Sequence, residues 1–97
     1  MTATHINEIT DAAISARLAQ VERVDVEWTG HMPADAEEWD DAANREWPRV
    51  TVAKVRRMLA HQLDGDSAAD EIDMAISIAC EPATLPNNAH VLLQFRA

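Results

Sequence analysis

Apolar residues recur along this chain with two different periods. From about His5 to Glu22, Ile14, Leu18 and Val21 follow the i, i+4, i+7 spacing of one helical face, and Ile6 and Ile9 extend it backwards. Thr4, Asn7 and Thr10 all qualify as N-caps, since their side-chain oxygens can accept the free amides of a first turn. From Arg23 the period drops to two. Val24, Val26 and Trp28 alternate with Arg23, Asp25, Glu27 and Thr29 as far as Gly30, which predicts a half-buried strand with a charged outer face.

Pro33 opens a second helical segment, ADAEEWDDAANREW, and Pro48 closes it by disfavouring helical geometry at Trp47. Ala36, Trp39, Ala43 and Trp47 share one stripe of that helix, with Glu37, Glu38 and Asp41 opposite. The third helical segment, from about Thr51 to Leu63, has the cleanest period: Val52, Val55, Leu59 and Leu63 lie in one narrow stripe, with Lys54, Arg57 and His61 across from it. Thr51 is the expected N-cap, and Gly65 is placed to end the helix in a left-handed conformation.

Beyond Gly65 the large residues Ile72, Met74, Ile76, Ile78 and Cys80 alternate strictly, with Ala75, Ser77 and Ala79 between them, predicting a strand from about Glu71 to Cys80. The loop EPATLPNN follows, and AHVLLQFRA puts Val91, Leu93 and Phe95 on one face of a last strand, expected to pair antiparallel with its predecessor. The pattern predicts an α+β fold in one small domain. About three strands, antiparallel or mixed, would carry two to three helices on one face, in the order α-β-α-α-β-β.

Composition limits the size of the core. The chain has 97 residues and is 47% hydrophobic, but eighteen of those side chains are alanine. One core is feasible and two are not. Burial of a large apolar side chain contributes about 1.5–3 kcal/mol, against roughly 1–2 kcal/mol of backbone ordering per residue. The margin is thin, and a homodimer or a partner would add burial. The single Cys80 cannot form an intrachain disulfide. The N-terminus MTATHINEIT lacks the basic and apolar regions of a signal peptide, and no apolar run approaches the roughly 20 residues of a membrane span. These features lead to the expectation of a cytoplasmic protein that does not enter membranes.

Charge narrows the function classes. Eight basic and seventeen acidic residues give a formal net charge of −9, which repels phosphate backbones and anionic headgroups. Nucleic acid is therefore disfavoured, and a protein with a basic surface is the expected partner. Asp35, Glu37, Glu38, Asp40 and Asp41 form one acidic block, and Asp64, Asp66, Asp70, Glu71 and Asp73 another. Glu37, Glu38, Asp40, Asp41, Asp64, Asp66 and Asp70 are the expected partner-binding residues, because such complementarity speeds and directs association. Trp28, Trp39 and Trp47 are candidate anchors if exposed beside an acidic patch.

The opposing candidate is basic. TVAKVRRMLAHQL resembles a helix-turn-helix recognition helix in general character, and Lys54, Arg56, Arg57 and His61 would serve a small DNA-binding regulator. Against this, Glu37, Glu38 and Asp41 on the preceding helix can approach and partly neutralise those cations. Catalytic and cofactor chemistry find no foothold. Cys80 sits in an apolar pattern, Ser15, Ser67 and Ser77 lack a glycine elbow, and two glycines make no phosphate loop. His5, His31, His61 and His90 have no paired metal-ligand spacing. The stretch from Asp64 to Asp73 resembles a calcium loop only superficially, with Ala68 and Ala69 where an oxygen ligand and a glycine are needed. No cofactor or metal is expected. In size and charge alone the chain resembles phage and mobile-element inhibitors of host defence, including anti-restriction and anti-CRISPR proteins. That resemblance implies a non-catalytic inhibitor or immunity-type module that covers a basic, nucleic-acid-binding surface on another protein.

Overall fold

The computed structural model describes residues 9–61 and 65–96. Within them the order is α1 (Asp11–Ala19), β1 (Val21–Trp28), α2 (Ala36–Glu46), a 3-10 turn (Trp47–Arg49), α3 (Val52–Leu59), α4 (Ala68–Ala79) and β2 (Ala89–Phe95). It is an α+β fold with a two-stranded antiparallel sheet.

Three helices begin where a hydroxyl can cap them. Thr10 accepts the Ala13 amide at 3.1 Å, Thr51 that of Lys54 at 3.1 Å, and Ser67 that of Asp70 at 3.2 Å. The first helix is shorter than its apolar spacing predicts. Thr10 sets its start, His5 to Glu8 lie outside the described residues, and Val21 belongs to β1. Ile9 and Ile14 flank the cap at the positions of a hydrophobic staple, and both are buried.

The expected strand from Glu71 to Cys80 is instead the helix α4. Ser67 caps it, Asp70 and Glu71 occupy its first turn where the helix dipole favours anions, and Ile72, Ala75, Ile76 and Ala79 form its buried i, i+3, i+4, i+7 face. Met74 and Ile78, at 36% and 38% exposure, sit off that face. The alternation of large residues misleads because the two alanines between them are completely or almost completely buried. Their small size lets α4 pack closely on α3, whose Val55 and Leu59 are fully buried. The sheet therefore has two strands, not three, and the order is α-β-α-α-α-β among the described residues. β2 pairs with β1, not with the segment before it.

Gly65 is not a left-handed helix stop, since Gly30 is the glycine with positive φ. α3 ends at Leu59 with Ala60 as its cap, and Leu63 lies outside the described residues. Gly65 is required for another reason. A Cβ there would stand 2.7 Å from the Glu71 Cγ and 3.0 Å from its amide nitrogen. The start of α4 passes too close for any side chain.

Register sets the two faces of the sheet. Val24 is opposite Leu93 and Val26 opposite Val91 on the inner face, while Asp25 faces Leu92 and Glu27 faces His90 on the outer one. A bulge between Val21 and Arg23 lets Val21 stay buried opposite Phe95. The core runs through Ile14, Val24, Val55, Leu59, Ile76 and Cys80 as one continuous cluster. α2 packs on β1, while α4 packs on α3, α1 and β2.

Candidate interaction surface

One side of α2 holds β1 and the other faces solvent. On the inward side, Asn44 treats β1 as a neighbouring strand would. Its Oδ1 accepts the Val24 amide at 3.1 Å, and its Nδ2 donates to the Val24 carbonyl at 2.7 Å and to the Asp40 carbonyl at 2.8 Å. One turn earlier, Asp40 Oδ1 accepts the Val26 amide at 2.7 Å. These are the backbone groups that point away from β2, and burial would penalise them if nothing replaced water there. The edge of β1 is closed by side chains one helical turn apart.

On the outward side Glu37, Glu38 and Asp41 are exposed. None of them makes an ion pair with another described residue. The ion pairs among the described residues are Arg17 with Asp73, Arg23 with Asp25 and Arg56 with Asp11, and the His90 imidazole lies 3.0 Å from a Glu27 oxygen. Arg45, one turn beyond Asp41, forms no pair with it. α2 and α3 share no extensive packing, so the acids of one do not neutralise the cations of the other.

The remaining expected residues are dispersed. Asp66 and Asp70 are exposed at the start of α4, an element α2 does not pack against extensively, and Asp64 lies outside the described residues. The two acidic blocks therefore do not merge through packing. Of the basic residues, Arg56 is occupied within the fold: its guanidinium donates to Asp11 Oδ1 and to the Ile9 carbonyl, both at 2.8 Å, tying α3 to the start of α1. Lys54 is half-buried, while Arg57 and His61 are exposed. Trp28, Trp39 and Trp47 pack partly buried against the core, so none stands free as an anchor.

The remaining candidate groups among the described residues lie apart. Burial pushes the Cys80 thiol up to about 11, with the charge of Lys54 partly opposing the shift, so it is protonated at neutral pH. No group of three or more potential metal ligands occurs among the described residues. A cleft of about 240 Å³ lies between α1 and α4, beside Ala13, Ala16, Ala69 and Ile72. Its charged rim is internally satisfied. Arg17 donates through Nε and Nη2 to both Asp73 oxygens at 2.8 and 3.0 Å and through Nη1 to Gln20 at 2.8 Å. The hydrogen bonds that Arg17 donates to Asp73 hold its guanidinium more firmly charged than usual, and the guanidinium carbon lies 3.5 Å from the centre of the Phe95 ring.

No protein-family model, curated protein or solved structure matches this chain. No helix among the described residues is long and apolar enough to cross a membrane. Sequence reasoning missed the structural work of Asp40 and Asn44. Their i, i+4 spacing was visible, but nothing local to it says that a strand edge lies alongside.

Proposed function

We propose that this protein is a non-catalytic protein-binding module whose acidic α2 face covers a basic surface on a partner protein. The carrying observation is that Glu37, Glu38 and Asp41 are exposed together on a helix clamped to the sheet, with no cation among the described residues paired to them. A fixed, uncompensated array of one sign supports steering and specificity, because no internal pair must break before a partner docks. A basic groove that normally binds nucleic acid is the surface such an array fits, which makes inhibition by occlusion the mechanism. Asp40 contributes little to contact, since its oxygen is engaged with Val26.

The test is a Glu38→Lys, Asp41→Lys double variant assayed against the protein captured by the wild-type chain from its native host. Association should slow by at least about tenfold at low ionic strength and become less salt-dependent. The same charge reversals at Asp66 and Asp70 should have much smaller effects. Unchanged association of the α2 variant would overturn the reading. Retention of an electrophoretic shift on DNA by the wild-type protein alone would favour the basic-helix alternative instead.

A further inference from the structure

We propose that β2 pairs with β2 of a second copy of this chain, antiparallel about a two-fold axis through Leu92, to form a continuous four-stranded sheet. The two edges of the sheet are treated differently. The β1 edge is closed by Asp40 and Asn44. On β2 the Arg96 amide turns inward to the Gln20 carbonyl at 2.8 Å, so by strand alternation the backbone groups of Val91, Leu93 and Phe95 point outward. Among the described residues, no side chain and no backbone group outside the sheet hydrogen-bonds to the amides of those three residues. The edge also lacks the usual protections: Ala89–Phe95 contains no proline, lysine or acid, and the bulge lies on β1.

The sequence of β2 fits its own reverse. About Leu92, Val91 stands opposite Leu93 of the second copy, and Ala89 opposite Phe95, so large inner-face side chains meet small or branched ones. The odd-numbered pairs bring outward amides against outward carbonyls, with both bonds exchanged between Val91 and Leu93. On the outer face Leu92, 40% exposed, meets Leu92, and His90 meets Gln94. An isologous contact needs this self-complementarity.

Charge and exposed apolar surface favour a second copy over a foreign strand. Pro82 to Ala97 is free of Asp and Glu, so two chains of charge −9 approach there with the least local repulsion. Of the four exposed large apolar residues among those described, Leu92 is on β2, and Met74 and Ile78 are on α4, the helix that packs on it. The acidic α2 faces would flank the outer edges, leaving both open to partners.

The test combines sedimentation of the full chain across micromolar to millimolar concentration with two variants. The wild type should dimerise, and Leu92→Lys should abolish the dimer by placing like charges on the axis. Leu92→Cys should cross-link between copies under mild oxidation, because directly opposed residues at a non-hydrogen-bonded pair lie about 4.5 Å apart at Cα, within disulfide range. Glu37→Cys, on the far helix, should not. If Leu92→Lys fails to fold, the cross-link and a concentration-dependent protection of the Val91 and Leu93 amides decide. A wild type monomeric throughout would overturn the proposal. So would a dimer insensitive to Leu92→Lys that lacks the Leu92→Cys cross-link.

Discussion

At the scale of single residues, Asn44 has the most consequential role relative to its size. It satisfies both backbone groups of Val24 at an edge that a two-stranded sheet would otherwise leave open. Removing one partner of such a contact exposes the cost of the other, about 1–3 kcal/mol for a buried unsatisfied polar group. Asn44→Ala should therefore lower unfolding free energy by about 1–3 kcal/mol, measured by urea titration. Asp40→Asn should change it much less, because an amide oxygen can still accept from Val26. Equal losses at the two positions would mean that the negative charge of Asp40, not its acceptor geometry, holds the edge. This role was not legible in the sequence. Asp40 reads as one more acid in a run of them, and its engagement depends on a strand fourteen residues away.

At the scale of elements, α4 is where local pattern and local chemistry disagree. The alternation of Ile72, Met74, Ile76, Ile78 and Cys80 is a strand signature, whereas Ser67 followed by Asp70 and Glu71 is a helix start. Packing decides in favour of the cap, because the alanines complete a buried helical face. Ala75 and Ala79 contribute little transfer energy, but they let α3 and α4 approach closely enough for Val55, Leu59 and Ile76 to be fully buried. A discriminating measurement follows. Ile76→Ala should cost about 2–5 kcal/mol, and Ile78→Ala, at an exposed position, under about 1 kcal/mol. In a strand with both residues on one face the two losses would be alike. The helices α2 and α3 were legible from period alone, since their stripes are long enough to exclude the alternative. The first strand was legible for the same reason, with its outer face marked by charge at every second position.

At the scale of the whole molecule, the net charge of −9 acts on stability as well as on partners. Of the ion pairs among the described residues, those of Arg23 and Arg56 lie largely at the surface, where each contributes little. Repulsion among unpaired acids should therefore outweigh them. Raising sodium chloride from about 10 mM to about 0.5 M, where the screening length falls from roughly 30 Å to a few ångströms, should raise the melting temperature at fixed protein concentration. A falling melting temperature would show that the ion pairs dominate. The sequence by itself determined what short-range rules can determine: the α+β class, the cap at Thr51, the inner faces of β1 and β2, and the imbalance of charge. Tertiary structure alone decided which strands pair, that α4 is a helix, which acids hold the fold and which remain available, and which sheet edge is closed. The physical reason is the same in each case. A period or a cap is written in neighbouring residues, but pairing and edge closure depend on groups distant in sequence whose backbone polar atoms must be satisfied together.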